Sequence, residues 1–97
     1  MIKTFKNQAT EDIYNGKATK IAMRACPKRV WKIAARKLDQ LDSILSLDEL
    51  RVPPGNRLET LSGKRKGQFS IRINDQFRIC FEWSETGPED VEITDYH

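Results

Sequence analysis

After Pro27 the apolar residues Val30, Ile33, Ala34, Leu38, Leu41, Ile44 and Leu45 recur at steps of three and four, the spacing at which side chains share one face of an α-helix. The pattern predicts a long helix over residues 27–45, with Pro27 in its first turn, where a missing N–H goes unnoticed. The other face carries Lys28, Arg29, Lys32, Arg36 and Lys37 early and Asp39 and Asp42 late. Cations at a helix start oppose the macrodipole, so this stripe reads either as a solvated face or as a surface that meets an anion.

The rest of the chain is patterned in shorter pieces. Ile2-Lys3-Thr4-Phe5 alternates apolar and polar like a half-buried strand. Thr10-Glu11-Asp12 offers a cap with acids in the first turn and Asn15-Gly16 a stop, which predicts a short helix over 10–15. Residues 17–26 fit either a linker or a further helical turn. Pro53-Pro54-Gly55-Asn56 then breaks regular structure and separates a helical half from a strand-rich half. Strands are expected over 57–61, 68–73 and 77–83 and from 91 to the end. They are joined by a glycine-bracketed basic turn over 63–67, by Asn74-Asp75-Gln76 and by Thr86-Gly87-Pro88. Along 77–83, Phe77, Ile79, Phe81 and Trp83 fall on one face and Arg78, Cys80 and Glu82 on the other. The order predicts an α+β fold, with an N-terminal strand and two helices packed on one face of a small, mostly antiparallel sheet. Residues 1–97 are expected to form a single domain.

Composition narrows the classes. Of 97 residues, 38% are hydrophobic and 32% charged, enough for a modest core and too polar for an integral membrane protein. The start, Met1-Ile2-Lys3-Thr4-Phe5-Lys6, lacks the apolar region of a signal peptide, so a cytoplasmic location is expected. Cys26 and Cys80 lie far apart, outside any CxxC pair, and read as buried free thiols. The net charge of +3 hides a strong polarity: residues 1–50 balance at +4, residues 51–78 at +5 and residues 79–97 at -6. A cationic middle of this kind suits a polyanionic partner or a solvated loop.

The chain has no glycine-rich phosphate loop, no metal-ligand spacing and no GxSxG nucleophile motif, so neither metal nor cofactor is expected. What remains is the basic turn Lys64-Arg65-Lys66 and the closing Asp95-Tyr96-His97, with the single histidine at the chain end. Spacing alone leaves that histidine either as a frayed terminus or as a proton-transfer group.

The run Pro53-Pro54-Gly55-Asn56-Arg57-Leu58-Glu59, with Leu61, Gly63 and Gly67-Gln68-Phe69-Ser70-Ile71-Arg72-Ile73-Asn74, resembles the HigB toxins, or plasmid-maintenance killer proteins, of bacterial type II toxin–antitoxin systems. Gln76-Phe77-Arg78-Ile79-Cys80-Phe81 and the ending Asp90-Val91-Glu92-Ile93-Thr94-Asp95-Tyr96-His97 fit the same pattern, as do Met1-Ile2-Lys3-Thr4-Phe5 and Arg36-Lys37-Leu38. The resemblance implies a RelE-like microbial RNase fold and a ribosome-dependent endoribonuclease that cuts mRNA in the A site, halting translation and growth. It implies as partners a cognate helix-turn-helix (HigA-like) antitoxin and the 70S ribosome with its mRNA and ribosomal RNA. Operator DNA would be reached only through the antitoxin, and no membrane is involved. It also makes the closing Asp95, Tyr96 and His97 a functional element.

Metal-free RNA cleavage needs a base for the 2′-hydroxyl proton, a cation for the charged phosphorane and an acid for the leaving 5′-oxygen. Glu59, Arg78 and His97 can supply these roles, with Asp95 or the terminal carboxylate holding the imidazole. That trio resembles the glutamate, arginine and late histidine of other RelE-like toxins, whereas some HigB relatives carry a histidine at the place of Glu59. Glu59 can equally be an ion-pair partner of Arg57 or Arg78, in which case Lys64 or ribosomal RNA would stand in as base. Lys64, Arg65 and Lys66, with Arg57 and Arg72, read as phosphate contacts. Tyr96 or Phe69 could stack on an unpaired base. The competing class is a non-catalytic ribosome- or RNA-binding inhibitor of translation, in which the basic turn acts alone and His97 is incidental.

Overall fold

Asn7 starts the helical half. Its side-chain oxygen accepts from the backbone N–H and the hydroxyl of Thr10, at 2.9 and 2.8 Å, so helix α1 runs Gln8–Tyr14 and begins two residues before the expected start. Thr10 is therefore a buried residue of the first turn rather than the cap. The computed structural model describes residues 1–95, and Tyr96 and His97 lie outside the described residues. The undecided stretch 17–26 forms helix α2, Lys20–Ala25, capped by Thr19. The Thr19 hydroxyl accepts from the Ala22 N–H at 3.3 Å and donates to Asp12 at 2.7 Å. Gln8 Nε2 also donates to buried Asp12, at 2.9 Å. The Gln8 and Thr19 hydrogen bonds hold the Asp12 carboxyl below the usual carboxylate range.

The long helix is shorter than its apolar stripe. Pro27 is extended, Lys28–Val30 forms a 3-10 turn, and helix α3 occupies Trp31–Ser43. Trp31 Nε1 donates to the Cys26 carbonyl at 2.8 Å, which closes the corner between α2 and α3. Val30, Ala34, Leu38, Leu41 and Ile44 are buried as the stripe predicts, but Ile33 is 38% exposed, and Leu45 is 91% exposed because the backbone turns extended at Ile44.

Four strands follow among the described residues: β1 Glu59–Thr60, β2 Gln68–Arg72, β3 Phe77–Ser84 and β4 Gly87–Asp95. They form one antiparallel sheet in the order β1-β2-β3-β4. β1 is shorter than expected because Arg57 takes a left-handed conformation at φ 46°, which removes it from the ladder. The β2–β3 connection is set by Asn74, whose Oδ1 accepts from the N–H groups of Gln76 and Phe77 at 2.9 and 2.8 Å. Ile71, Phe77, Ile79, Phe81, Val91 and Ile93 point toward the helices and join Ile13, Trp31, Leu38 and Leu41 in the core.

At the outer edge of β4, the expected N-terminal strand is reduced to one parallel bridge, Phe5 to Val91. Lys3 N donates to Pro88 O at 2.8 Å, Val91 N to Thr4 O at 3.1 Å, and Lys6 N to Val91 O at 3.0 Å. Regular pairing stops there because Asp90, at φ 50°, interrupts β4, and its N–H goes to the Thr4 hydroxyl at 2.9 Å. Cys80 pairs with Glu92 and Glu82 with Glu89, so Asp90 and Val91 together oppose Phe81 in a β-bulge. Both cysteines are free and buried, as expected. No helix is long and apolar enough to cross a membrane among the described residues.

Candidate active site

Hairpin register decides which side chains meet on the sheet face turned away from the core. Ser70 is opposite Glu59 on one side and Cys80 on the other, Arg72 is opposite Arg78, and Arg78 is opposite Thr94. Directly opposed residues share a face. Glu59, Ser70, Arg72, Arg78, Cys80 and Thr94 therefore lie together.

Arg78 is the centre of this set. It is only 7% exposed, and a buried guanidinium requires acceptors. Nε donates to Ser70 Oγ at 2.8 Å, and Nη2 donates to Arg57 O at 2.7 Å and approaches Ser70 O at 3.4 Å. The left-handed turn at Arg57 presents that carbonyl. Arg78 Nη2 also lies 3.9 Å from Glu59 Oε2, and Glu59 keeps about half of its side chain exposed (49%). Next to them, Thr94 Oγ1 is buried with no hydrogen-bond partner among the described residues. Burial raises the pKa of the Cys80 thiol, which keeps it protonated and unreactive at neutral pH.

The other expected residues are spread around this centre. Lys64, within the 3-10 turn Gly63–Arg65, and Lys66, just after it, are exposed. Arg65 is already engaged, with Nη1 3.0 Å from Gln68 Oε1 and 3.3 Å from Glu92 Oε1. Arg72 bonds exposed Asp75. Phe69 packs on Phe81, ring centroids 6.1 Å apart, and belongs to the partly buried rim of the core. Asp95 is the register partner of Phe77, not of Arg78, and its Oδ2 accepts from Gln76 Nε2 at 2.9 Å. Tyr96 and His97 lie outside the described residues.

Sequence reasoning missed Ser70 and Thr94. A signal for Ser70 was present: once Asn74 is taken as the hinge of the hairpin, Ser70 and Arg78 fall on one face. Arg78 is buried by its own hydrogen bonds, a state that charge alone gives no hint of.

An α+β fold of this size, with a buried arginine beside a carboxylate on one sheet face, fits the class of the RelE-like toxins. In overall shape the chain is similar to a chain of the YoeB–YefM complex from Staphylococcus aureus, with a TM-score of 0.61 over 100% of this chain and 98% of that one, at 15% identity. The model of the RelE-like toxin of type II toxin–antitoxin system HigB matches residues 3–97, and the chain belongs to that family. It is 39% identical over 83 residues to Toxin HigB-1 of Vibrio cholerae serotype O1, covering 86% of this chain and 84% of that protein. It is also 39% identical over 57 residues to an uncharacterized protein of Haemophilus influenzae, covering 59% and 56% of the two chains.

Proposed function

We propose that this type II toxin is a ribosome-dependent mRNA endoribonuclease that cuts in the A site without a metal, and that a HigA-like antitoxin holds it inactive. The observation that carries the reading is the placement of Glu59 Oε2 3.9 Å from Arg78 Nη2, with Ser70 and Thr94 on the same face. Glu59 takes the proton of the 2′-hydroxyl, whose oxygen attacks phosphorus. The P–O5′ bond breaks, His97 donates a proton to the leaving 5′-oxygen, and the products are a 2′,3′-cyclic phosphate and a 5′-hydroxyl. Arg78 stabilises the equatorial charge of the phosphorane. Asp95 orients His97, Tyr96 stacks on the base at the cut, and Arg57, Lys64, Arg65, Lys66 and Arg72 contact RNA phosphates.

One observation favours the non-catalytic alternative: the Arg78 guanidinium is committed to Ser70 and Arg57, as a purely structural arginine would be. Primer extension on mRNA from cells induced for the protein separates the two. Discrete ends in phase with the reading frame are expected for the wild type. They should vanish for His97→Gln and fall by about two to three orders of magnitude for Arg78→Ala, the scale of losing one preorganised charge stabiliser. Growth arrest with intact mRNA would overturn the nuclease reading.

A further inference from the structure

A cleft of about 420 Å³ opens between α3 and the end of β2, lined by Ile33, Arg36, Lys37, Gln40, Arg72 and Ile73. Three of these six side chains are cations. Among the described residues no carboxylate lies within ion-pair distance of Arg36 or Lys37, and Arg72 has only exposed Asp75. We propose that this cleft is a second RNA subsite, which holds backbone phosphates flanking the nucleotide seated at Arg78. The proposal rests on the endoribonuclease reading for the identity of the polyanion.

Arg72 lines the cleft and is also the cross-strand partner of Arg78, and such partners stand about 5 Å apart. The cations of the cleft and of the candidate active site thus form one track: Arg78, Arg72, then Lys37 and Arg36 on α3. A nucleic acid strand carries a charge at every nucleotide, and a strand anchored at one end of this track meets the other end with its neighbouring phosphates. An acidic protein segment has no comparable reason to continue into the Arg78 site.

Lys37 is not a loose surface lysine: its ammonium donates to Oδ1 of Asn56, which is fully buried and itself bonded to the carbonyls of Leu50 and Val52 and to Gln40. Burial, with Arg36 and Arg72 close by, lowers the Lys37 pKa. A cation held in place against two others is a site in electrostatic deficit, which a phosphate relieves. The apolar part of the lining, Ile33 and Ile73, gives a sugar or base edge something to cover.

The test is fluorescence anisotropy of the whole protein with a short labelled single-stranded RNA, titrated at several KCl concentrations. Removing two phosphate contacts in Arg36→Gln/Lys37→Gln should weaken binding about tenfold at physiological salt and reduce the slope of log K against log salt by about 1.4. Lys37→Arg should keep the wild-type slope. Should Lys37→Gln unfold, Arg36→Gln alone, at an exposed residue, should reduce the slope by about 0.7. No RNA binding by the wild type, or an unchanged slope in the folded variants, overturns the proposal. So does a variant that binds RNA normally but loses its antitoxin, since the cleft then belongs to an acidic protein segment. Reduced slopes alongside intact cellular mRNA would instead support the subsite and overturn only the nuclease reading.

Discussion

Ser70 does for Arg78 what water does for a surface arginine. Its hydroxyl takes the Nε proton at 2.8 Å and its carbonyl lies near Nη2, while Arg57 O takes the other hydrogen bond. Ser70→Ala leaves a buried charged donor without its acceptor, at a cost of about 1.5–3 kcal/mol. Urea unfolding should show that loss. On the proposed function, cleavage should fall as well, because the guanidinium would no longer be held at its place beside Glu59. A variant as stable and active as the wild type would show that Arg78 holds its place without Ser70.

At the scale of the elements, Gly87 is the residue on which the start of β4 depends. Its φ of 132° is a conformation that side chains rarely adopt, and a Cβ there would lie 2.6 Å from the Met1 carbonyl oxygen. Gly87→Ala should therefore destabilise by about 1–3 kcal/mol, and amide exchange at Lys3 and Lys6, which bond Pro88 and Val91, should accelerate more than exchange in α3. Much of this layer was legible beforehand: β2, β3 and the buried stripe of α3 follow directly from periods of two and of three to four. The misses have local physical causes. Asn7 outcompetes Thr10 as a cap, and the left-handed Arg57 shortens β1. Asp90 turns the N-terminal strand into a bridge, and the backbone turns extended at Ile44 before the apolar stripe is finished. Each depends on one residue's φ, ψ or side-chain hydrogen bond, to which hydrophobic periodicity is blind. The same holds for the site, where residue types pointed to Glu59 and Arg78 but only the hairpin register brought Ser70 and Thr94 beside them.

Over the whole molecule, folding brings the acidic end of the chain back onto its cations. Glu92 in β4 meets both Arg65 and Lys6, at 3.3 and 3.9 Å. Part of the charge polarity seen along the sequence is thereby cancelled, while Lys64, Lys66, Arg36 and Lys37 keep theirs. Stability should respond to acid. The carboxyls of Asp12 and Glu49 are both held below their ordinary range, by side-chain bonds from Gln8 and Thr19 and by the backbone N–H groups of Ser46 and Leu45 respectively. A depressed folded pKa contributes stability that is complete above the unfolded value, about 4, and is lost as pH falls through the folded one. Melting temperature should thus drop below about pH 4, and Asp12→Asn should flatten that drop. A wild-type melting temperature that stays level down to pH 2.5, on an order-of-magnitude scale for such shifts, would show that these bonds persist in the unfolded chain.

The extra residue at Asp90 is absorbed without changing the phase of the strand on either side of it. A strand alternates faces at every residue; with Asp90 and Val91 together opposite Phe81, Glu89 faces Glu82, Val91 and Ile93 turn inward, and Thr94 lies opposite Arg78. Changing the residue and removing it should therefore both leave the register intact. Asp90→Gly keeps the count and relaxes the φ of 50°, and should fold at least as well as the wild type. Deleting Asp90 pairs Val91 directly with Phe81, keeps Glu92 opposite Cys80 and Thr94 opposite Arg78, and removes the N–H bond to Thr4, so the variant should still fold, with a melting temperature lowered by its loosened N-terminal segment. In this toxin the bulge serves the edge that receives the N-terminal segment and leaves the face that carries Arg78 unchanged.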